Sequence, residues 1–77
     1  MTVHELKAKR MNHGITARLV APRAGLSSGR LSDIERGYIA ASKDELVRIS
    51  RALDELIAAR QEIQAVAKRV GWPVESI

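Results

Sequence analysis

The chain of 77 residues has no cysteine, a formal net charge of +4 and only one Trp and one Tyr as aromatic residues. Its length limits it to one small domain, and the lack of cysteine excludes disulfides and thiolate metal sites. No apolar run approaches the ~20 residues of a membrane-spanning helix, and the first residues lack the basic-then-apolar pattern of a secretory signal. We therefore expect a cytoplasmic protein without a membrane partner.

The predicted elements are all helices. Thr2 with Glu5 forms a capping box that opens a first helix, and Gly14 suits its left-handed end. Thr16 caps a second helix, which Pro22 is expected to kink or shorten because it removes a hydrogen bond inside the helix.

A third short helix follows a glycine corner. Gly25 stops the second helix and Ser27 caps the third. Leu31 and Ile34 form the inward face of the third helix, which Gly37 ends.

The longest predicted helix opens with a second capping box, Ser42 with Glu45. Residues 43–70 contain neither Gly nor Pro, which predicts one long helix, or two helices that divide near Asp54. Its apolar residues alternate at spacings of three and four, which is typical of a heptad seam, and Arg60 interrupts them. The seam consists of Leu46, Ile49, Leu53, Leu56, Ile63, Ala67 and Val70.

The positive charge lies in the first half of the chain. Residues 1–36 hold seven basic and three acidic residues, whereas residues 37–77 hold six of each. A clustered basic excess favours a polyanionic partner. The alternative is an ordinary solvated surface.

Small and apolar residues recur at fixed offsets between positions 16 and 37, and they resemble the helix-turn-helix of phage-repressor and Cro-type regulators, the XRE family. The matching residues are Thr16, Val20, Ala21, Ala24, Gly25, Leu26, Ser27, Leu31, Ile34, Glu35 and Gly37. The resemblance covers about residues 3–53 and departs from the family at Pro22 and Ala41. A plain helical hairpin with the same packing needs is the alternative.

The resemblance implies an all-α, repressor-type helix-turn-helix domain of four to five helices with an extended C-terminal helix. Residues 1–53 would form the DNA-binding domain, and residues 54–77 a helical extension of it. Family members often pair an arginine of the first helix with the glutamate that ends the third. The corresponding residues are Arg10 and Glu35, and the alternative is two unpaired surface charges.

By the same resemblance, the third helix (about residues 28–36) enters the major groove of double-stranded DNA. The expected base-reading residues are Ser28, Gly29, Arg30, Ser32 and Asp33, with Arg30 reaching either a guanine or a phosphate. The expected phosphate-binding residues are Thr16, Ala17, Arg18, Ser27, Arg36, Gly37, Tyr38 and Lys43. Tyr38 alone is equally compatible with packing in its loop.

The apolar stripe after residue 54 predicts self-association, because an exposed stripe of this size is expected to be covered. The predicted dimer interface consists of Leu56, Ile57, Arg60, Ile63, Val66, Ala67, Val70 and Trp72. Arg60 in the seam indicates a defined register or a break in the pairing. Alternatively, the segment folds back on its own domain, or it holds a different protein, as in an antitoxin.

These observations together predict a transcriptional repressor of phage or mobile-element type that binds a two-fold-symmetric operator as a homodimer. No enzyme, cofactor or metal is expected. The chain has only two histidines, without cysteine or carboxylates at ligand spacing, and it has no glycine-rich phosphate loop.

Overall fold

The computed structural model describes residues 2–71, and this part of the chain consists of four helices without a strand. They are α1 (Val3–Asn12), α2 (Ala17–Arg23), α3 (Ser28–Glu35) and α4 (Lys43–Val70). The all-α prediction is therefore confirmed, with four helices in the described range. None of these helices is long and apolar enough to cross a membrane.

Side-chain caps determine where the helices begin. Thr2, Thr16 and Ser27 each accept a hydrogen bond from the backbone N–H three residues later. Ser42 does the same for Glu45, and the Glu45 carboxylate accepts from the Ser42 backbone N–H in return, which completes the predicted capping box. These bonds satisfy N–H groups that have no partner within the helix.

The corner between α2 and α3 requires a glycine. Gly25 has a φ of +71°, which residues with a Cβ adopt only at a cost in free energy. An added Cβ there would also lie 2.9 Å from Nη1 of Arg48, which reaches over the corner from α4. Just before this corner, α2 is only seven residues long and ends one residue after Pro22, in line with the expected shortening.

The core lies between α4 and the three shorter helices. It consists of aliphatic side chains only: Leu6, Ile15, Val20, Ala21, Ala24, Leu31, Ile49, Ala52 and Leu53. Every helix contributes at least one of these residues from its inward face, as amphipathic helices do, and Ile15 comes from the loop between α1 and α2. Burial of this small aliphatic set is the main apolar contribution to stability.

The helix α4 is continuous over 28 residues, so it extends for roughly 42 Å at 1.5 Å per residue. Asp54 does not begin a new helix, and its carboxylate instead pairs with Lys9 Nζ of α1 at 2.6 Å. Gly71 ends α4 with a φ of +78°. Of the two expected alternatives, one long helix or two shorter ones, the structure has one long helix.

Candidate nucleic-acid interface

The third helix presents two different faces. Leu31 and Ile34 are buried beneath it, whereas Ser28 and Gly29 are exposed and Asp33 is half-buried. The Ser27 hydroxyl accepts a hydrogen bond from the Arg30 backbone N–H at 3.1 Å and defines the first turn. The buried pair therefore holds α3 against the domain and turns its small polar residues outward.

An arginine fork joins the end of α3 to α1. Arg10 Nε and Nη2 donate to the two carboxylate oxygens of Glu35 at 2.9 and 2.6 Å. Arg10 Nη1 also donates to the Ile15 carbonyl at 2.8 Å, so one guanidinium joins α1, the following loop and α3. The structure thus brings together the two residues that the resemblance paired.

A second arginine fork holds the beginning of α3, and it gives Arg30 a different role from the one expected. Arg30 Nε and Nη2 donate to the two carboxylate oxygens of Glu45 at 2.5 and 3.0 Å. The Glu45 carboxylate also accepts from the Ser42 N–H at 2.9 Å. In this structure Arg30 is therefore bound to α4 and is not directed freely toward a base or phosphate.

The electrostatics of this pair follow from its geometry. The hydrogen bonds from Arg30, and after them the Ser42 backbone N–H, lower the pKa of Glu45 to about 2 from its ordinary value of 4.5, against the effect of burial. The carboxylate in turn raises the pKa of Arg30. Both groups are charged at neutral pH, as a bidentate arginine–carboxylate pair requires.

The other predicted base-reading residues remain available. In the described part of the chain, the side chains of Ser28, Ser32 and Asp33 have no hydrogen-bond or ion-pair partner. Gly29 has no heavy atom within 4 Å of the position where a Cβ would lie. This face thus offers two hydroxyls, one carboxylate and an open stretch of backbone.

The predicted phosphate-binding residues lie at helix beginnings and in the loop after α3. Arg18, Arg36 and Lys43 are exposed cations, and the Arg36 guanidinium lies 6.0 Å from the centroid of the exposed Tyr38 ring. Gly37 lies between them. Ala17 is the first residue of α2, and its N-cap Thr16 and the α3 N-cap Ser27 use their hydroxyls for capping.

The predicted dimer residues divide into two groups. Leu56 and Ile57 are half-buried against the domain's own core, and Arg60 Nη1 donates to the His13 carbonyl. Ala67 is also buried. These four residues therefore depart from the predicted exposed stripe. For Leu56, Ile57 and Arg60 the reason is that the core and the C-terminal end of α1 reach this far along α4.

The second group is exposed. Ile63, Val66 and Val70 are 52%, 47% and 66% exposed, as an unpartnered apolar stripe would be. Trp72 lies outside the described residues.

Two residues contribute to the site in ways that the sequence pattern does not predict. Glu45 was identified only as a capping residue, although its carboxylate also binds Arg30. Arg48 was not singled out, although it covers the α2–α3 corner at Gly25. The only signal for either in the sequence is its spacing on α4, where a charged residue lies one position from an apolar seam residue.

The fold and this interface define a helix-turn-helix DNA-binding regulator. A short capped helix, held by two arginine forks, projects small polar side chains beside exposed cations. The family model described as Helix-turn-helix matches residues 6–60, which is more than half of the chain, and the chain belongs to this family of XRE-type regulators. No curated protein and no solved structure shows a significant match to the chain.

Proposed function

We propose that the chain is a transcriptional repressor that binds a two-fold-symmetric operator as a homodimer, with α3 in the major groove. The main support for the proposal is that α3 is fixed in place while its outer side chains stay unpaired in the described part of the chain. Arg10–Glu35 and Arg30–Glu45 hold the helix from two sides, while its outer polar side chains have no partner within the described residues. A preorganised surface with unsatisfied polar groups is what base recognition needs.

The outer face of α3 supports recognition at short range. The Asp33 carboxylate can accept a hydrogen bond from the amino group of cytosine, and the hydroxyls of Ser28 and Ser32 can meet donors or acceptors. Gly29 lets the backbone approach the base edges closely. Since none of these side chains is long, part of the sequence preference would come from DNA shape and deformability.

Phosphate contacts would position the helix in the groove. The first turn of α2, with the Ala17 and Arg18 N–H groups, presents the positive end of a short helix to the backbone beside the Arg18 cation. Arg36 and Lys43 add exposed cations after α3 and at the start of α4. The Tyr38 ring lies 6.0 Å from the Arg36 guanidinium, a distance at which a cation is attracted to an aromatic face.

The experiment is a selection of binding sites from a randomised DNA duplex pool with the purified chain at physiological salt. We expect enrichment of a palindromic site. We expect Asp33→Ala to change the preferred base at one position in each half-site. The matched control is Glu55→Ala, which removes the same charge from an exposed position on α4 outside the interface.

Two results would contradict this proposal. Binding without any enriched sequence would exclude specific recognition by α3. An unchanged preference in Asp33→Ala would exclude the proposed role of that carboxylate. Repression itself is tested by placing the selected site across a reporter promoter, where expression should fall when the chain is produced and not when Asp33→Ala is produced.

A further inference from the structure

The C-terminal part of α4 carries an apolar stripe that its own domain does not cover. The α4 residues that pack on the core end at Ile57, and Arg60 makes the polar contact with the His13 carbonyl. Beyond them, Ile63, Val66 and Val70 are each about half or more exposed. With the exposed Ala59, they form what we call the α4 stripe: Ala59, Ile63, Val66 and Val70.

The spacing of the α4 stripe is that of a two-helix seam. Its members follow one another at intervals of four, three and four residues, the alternation that places knobs on one line along a helix. At about 100° per residue they lie within roughly 60° of one another around the axis. A second helix is therefore the shape of partner that covers this stripe.

Two charged residues flank the α4 stripe on one side. Glu62 and Arg69 are seven residues apart and both exposed. Neither forms an ion pair within the described residues. The positions three and four residues away from each hold only Ala, Val, Trp or Pro, so the helix itself offers neither charge an opposite neighbour.

The placement of these charges distinguishes the two possible orientations of a second copy. In a parallel pair, Glu62 would face Ala67 of the second copy, since flanking positions meet five residues later, and Ala67 offers it no opposite charge. In an antiparallel pair with Ile63 against Val66, Glu62 faces Arg69. The two-fold axis repeats that contact, because in such an interface each residue pair occurs twice.

We infer that the α4 stripe binds a second copy of this chain in antiparallel orientation, with Glu62 of each copy paired to Arg69 of the other. The inference rests on the homodimer of the proposed function and specifies its interface and orientation. A second copy is favoured over a different protein because the stripe and its flanking charges are complementary to themselves. The crossing point lies between residues 64 and 65, so the two DNA-binding units lie at opposite ends of the pair.

The test is sedimentation equilibrium of the full chain without DNA at low ionic strength, where exposed charges are least screened. The wild type should dimerise. Glu62→Arg and Arg69→Glu should each weaken dimerisation by about tenfold, because each replaces two attractive contacts with two repulsive ones. An equimolar mixture of the two variants should dimerise as strongly as the wild type, since both contacts become attractive again.

Lys68→Glu is the matched control, because it makes the same charge change one residue away and off the stripe. It should leave the dimer unchanged, and circular dichroism should show all variants to be equally helical. Failure of the mixture to recover would overturn the antiparallel pairing. A monomeric wild type would overturn self-association and leave the α4 stripe to a different protein.

A second measurement uses the absence of cysteine in the chain. Oxidation of mixed Ile63→Cys and Val66→Cys chains should give the disulfide between the two variants. If most disulfides instead join two copies of the Ile63→Cys variant, the pair is parallel and the inference is overturned. Because no DNA is present in these assays, their failure is separate from a failure of operator binding, which the site selection measures.

Discussion

The Arg10–Glu35 pair allows a quantitative prediction about stability. Its side chains are only 15% and 11% exposed, and Arg10 makes three hydrogen bonds, two to the carboxylate and one to the Ile15 carbonyl. Arg10→Met removes the cation and keeps most of the apolar volume. It leaves the carboxylate without its partner in a largely desolvated place, which costs about 3–5 kcal/mol.

That loss is large for a domain of this size. At roughly 0.05–0.15 kcal/mol per residue, the whole chain is expected to be stable by about 4–12 kcal/mol. Arg10→Met should therefore lower the urea midpoint strongly, measured by circular dichroism at neutral pH with an unchanged slope. Lys9→Met is the control, because the Lys9–Asp54 pair is 36% and 58% exposed and its loss should cost less than about 1 kcal/mol.

A double variant separates the pair from its surroundings. The double variant Arg10→Met with Glu35→Leu removes both charges, so no unpaired charge stays buried and most of the lost stability should be regained. The Ile15 carbonyl still lacks its donor, which leaves a residual cost of roughly 1–3 kcal/mol. The reasoning is refuted if Arg10→Met costs no more than Lys9→Met, or if the double variant loses the sum of both single changes.

Three further predictions concern the corner, the second pair and the DNA contact. Because its pKa is lowered to about 2, Glu45 should stabilise the fold above pH 4.5 and lose that effect as pH falls toward 2; melting curves of Glu45→Gln should lack this part of the acid dependence. Gly25→Ala should destabilise by about 1–2 kcal/mol through its positive φ, whereas Gly29→Ala, inside α3 and unobstructed, should stabilise by roughly 0.5–1 kcal/mol in urea unfolding. Arg36→Ala should weaken DNA binding on all sequences and reduce the slope of log affinity against log salt by about one; an unchanged slope in a fluorescence titration would contradict a phosphate contact.

Local chemistry explains why the helix boundaries were predictable. Thr2, Thr16, Ser27 and Ser42 cap their helices as expected, because a cap depends on residues only three positions apart. The glycine that ends α2 is predictable for the same reason. The uninterrupted α4 is the outcome that the absence of Gly and Pro between residues 43 and 70 favours.

Contacts between residues that are far apart in the sequence were harder to predict. Arg30 and Glu45 are 15 residues apart, and nothing in the sequence states that their guanidinium and carboxylate meet. That depends on how α3 lies against the start of α4. Similarly, the heptad pattern continues through Arg60, but only the position of the α1 C-terminus shows that this arginine belongs to the domain's own contacts. The Arg10–Glu35 pair was predicted from the family resemblance and not from the spacing of the two residues.

The orientation of α3 therefore depends on charge as much as on apolar packing. Only Leu31 and Ile34 of this helix are buried, and the chain has no Phe to enlarge the core. The Glu35 fork holds one end of α3 and the Arg30 fork holds the other. Because planar arginine–carboxylate pairs fix direction as well as distance, they can set the angle at which a small helix meets DNA. Removal of either fork should thus disturb DNA recognition even where the remaining domain stays folded.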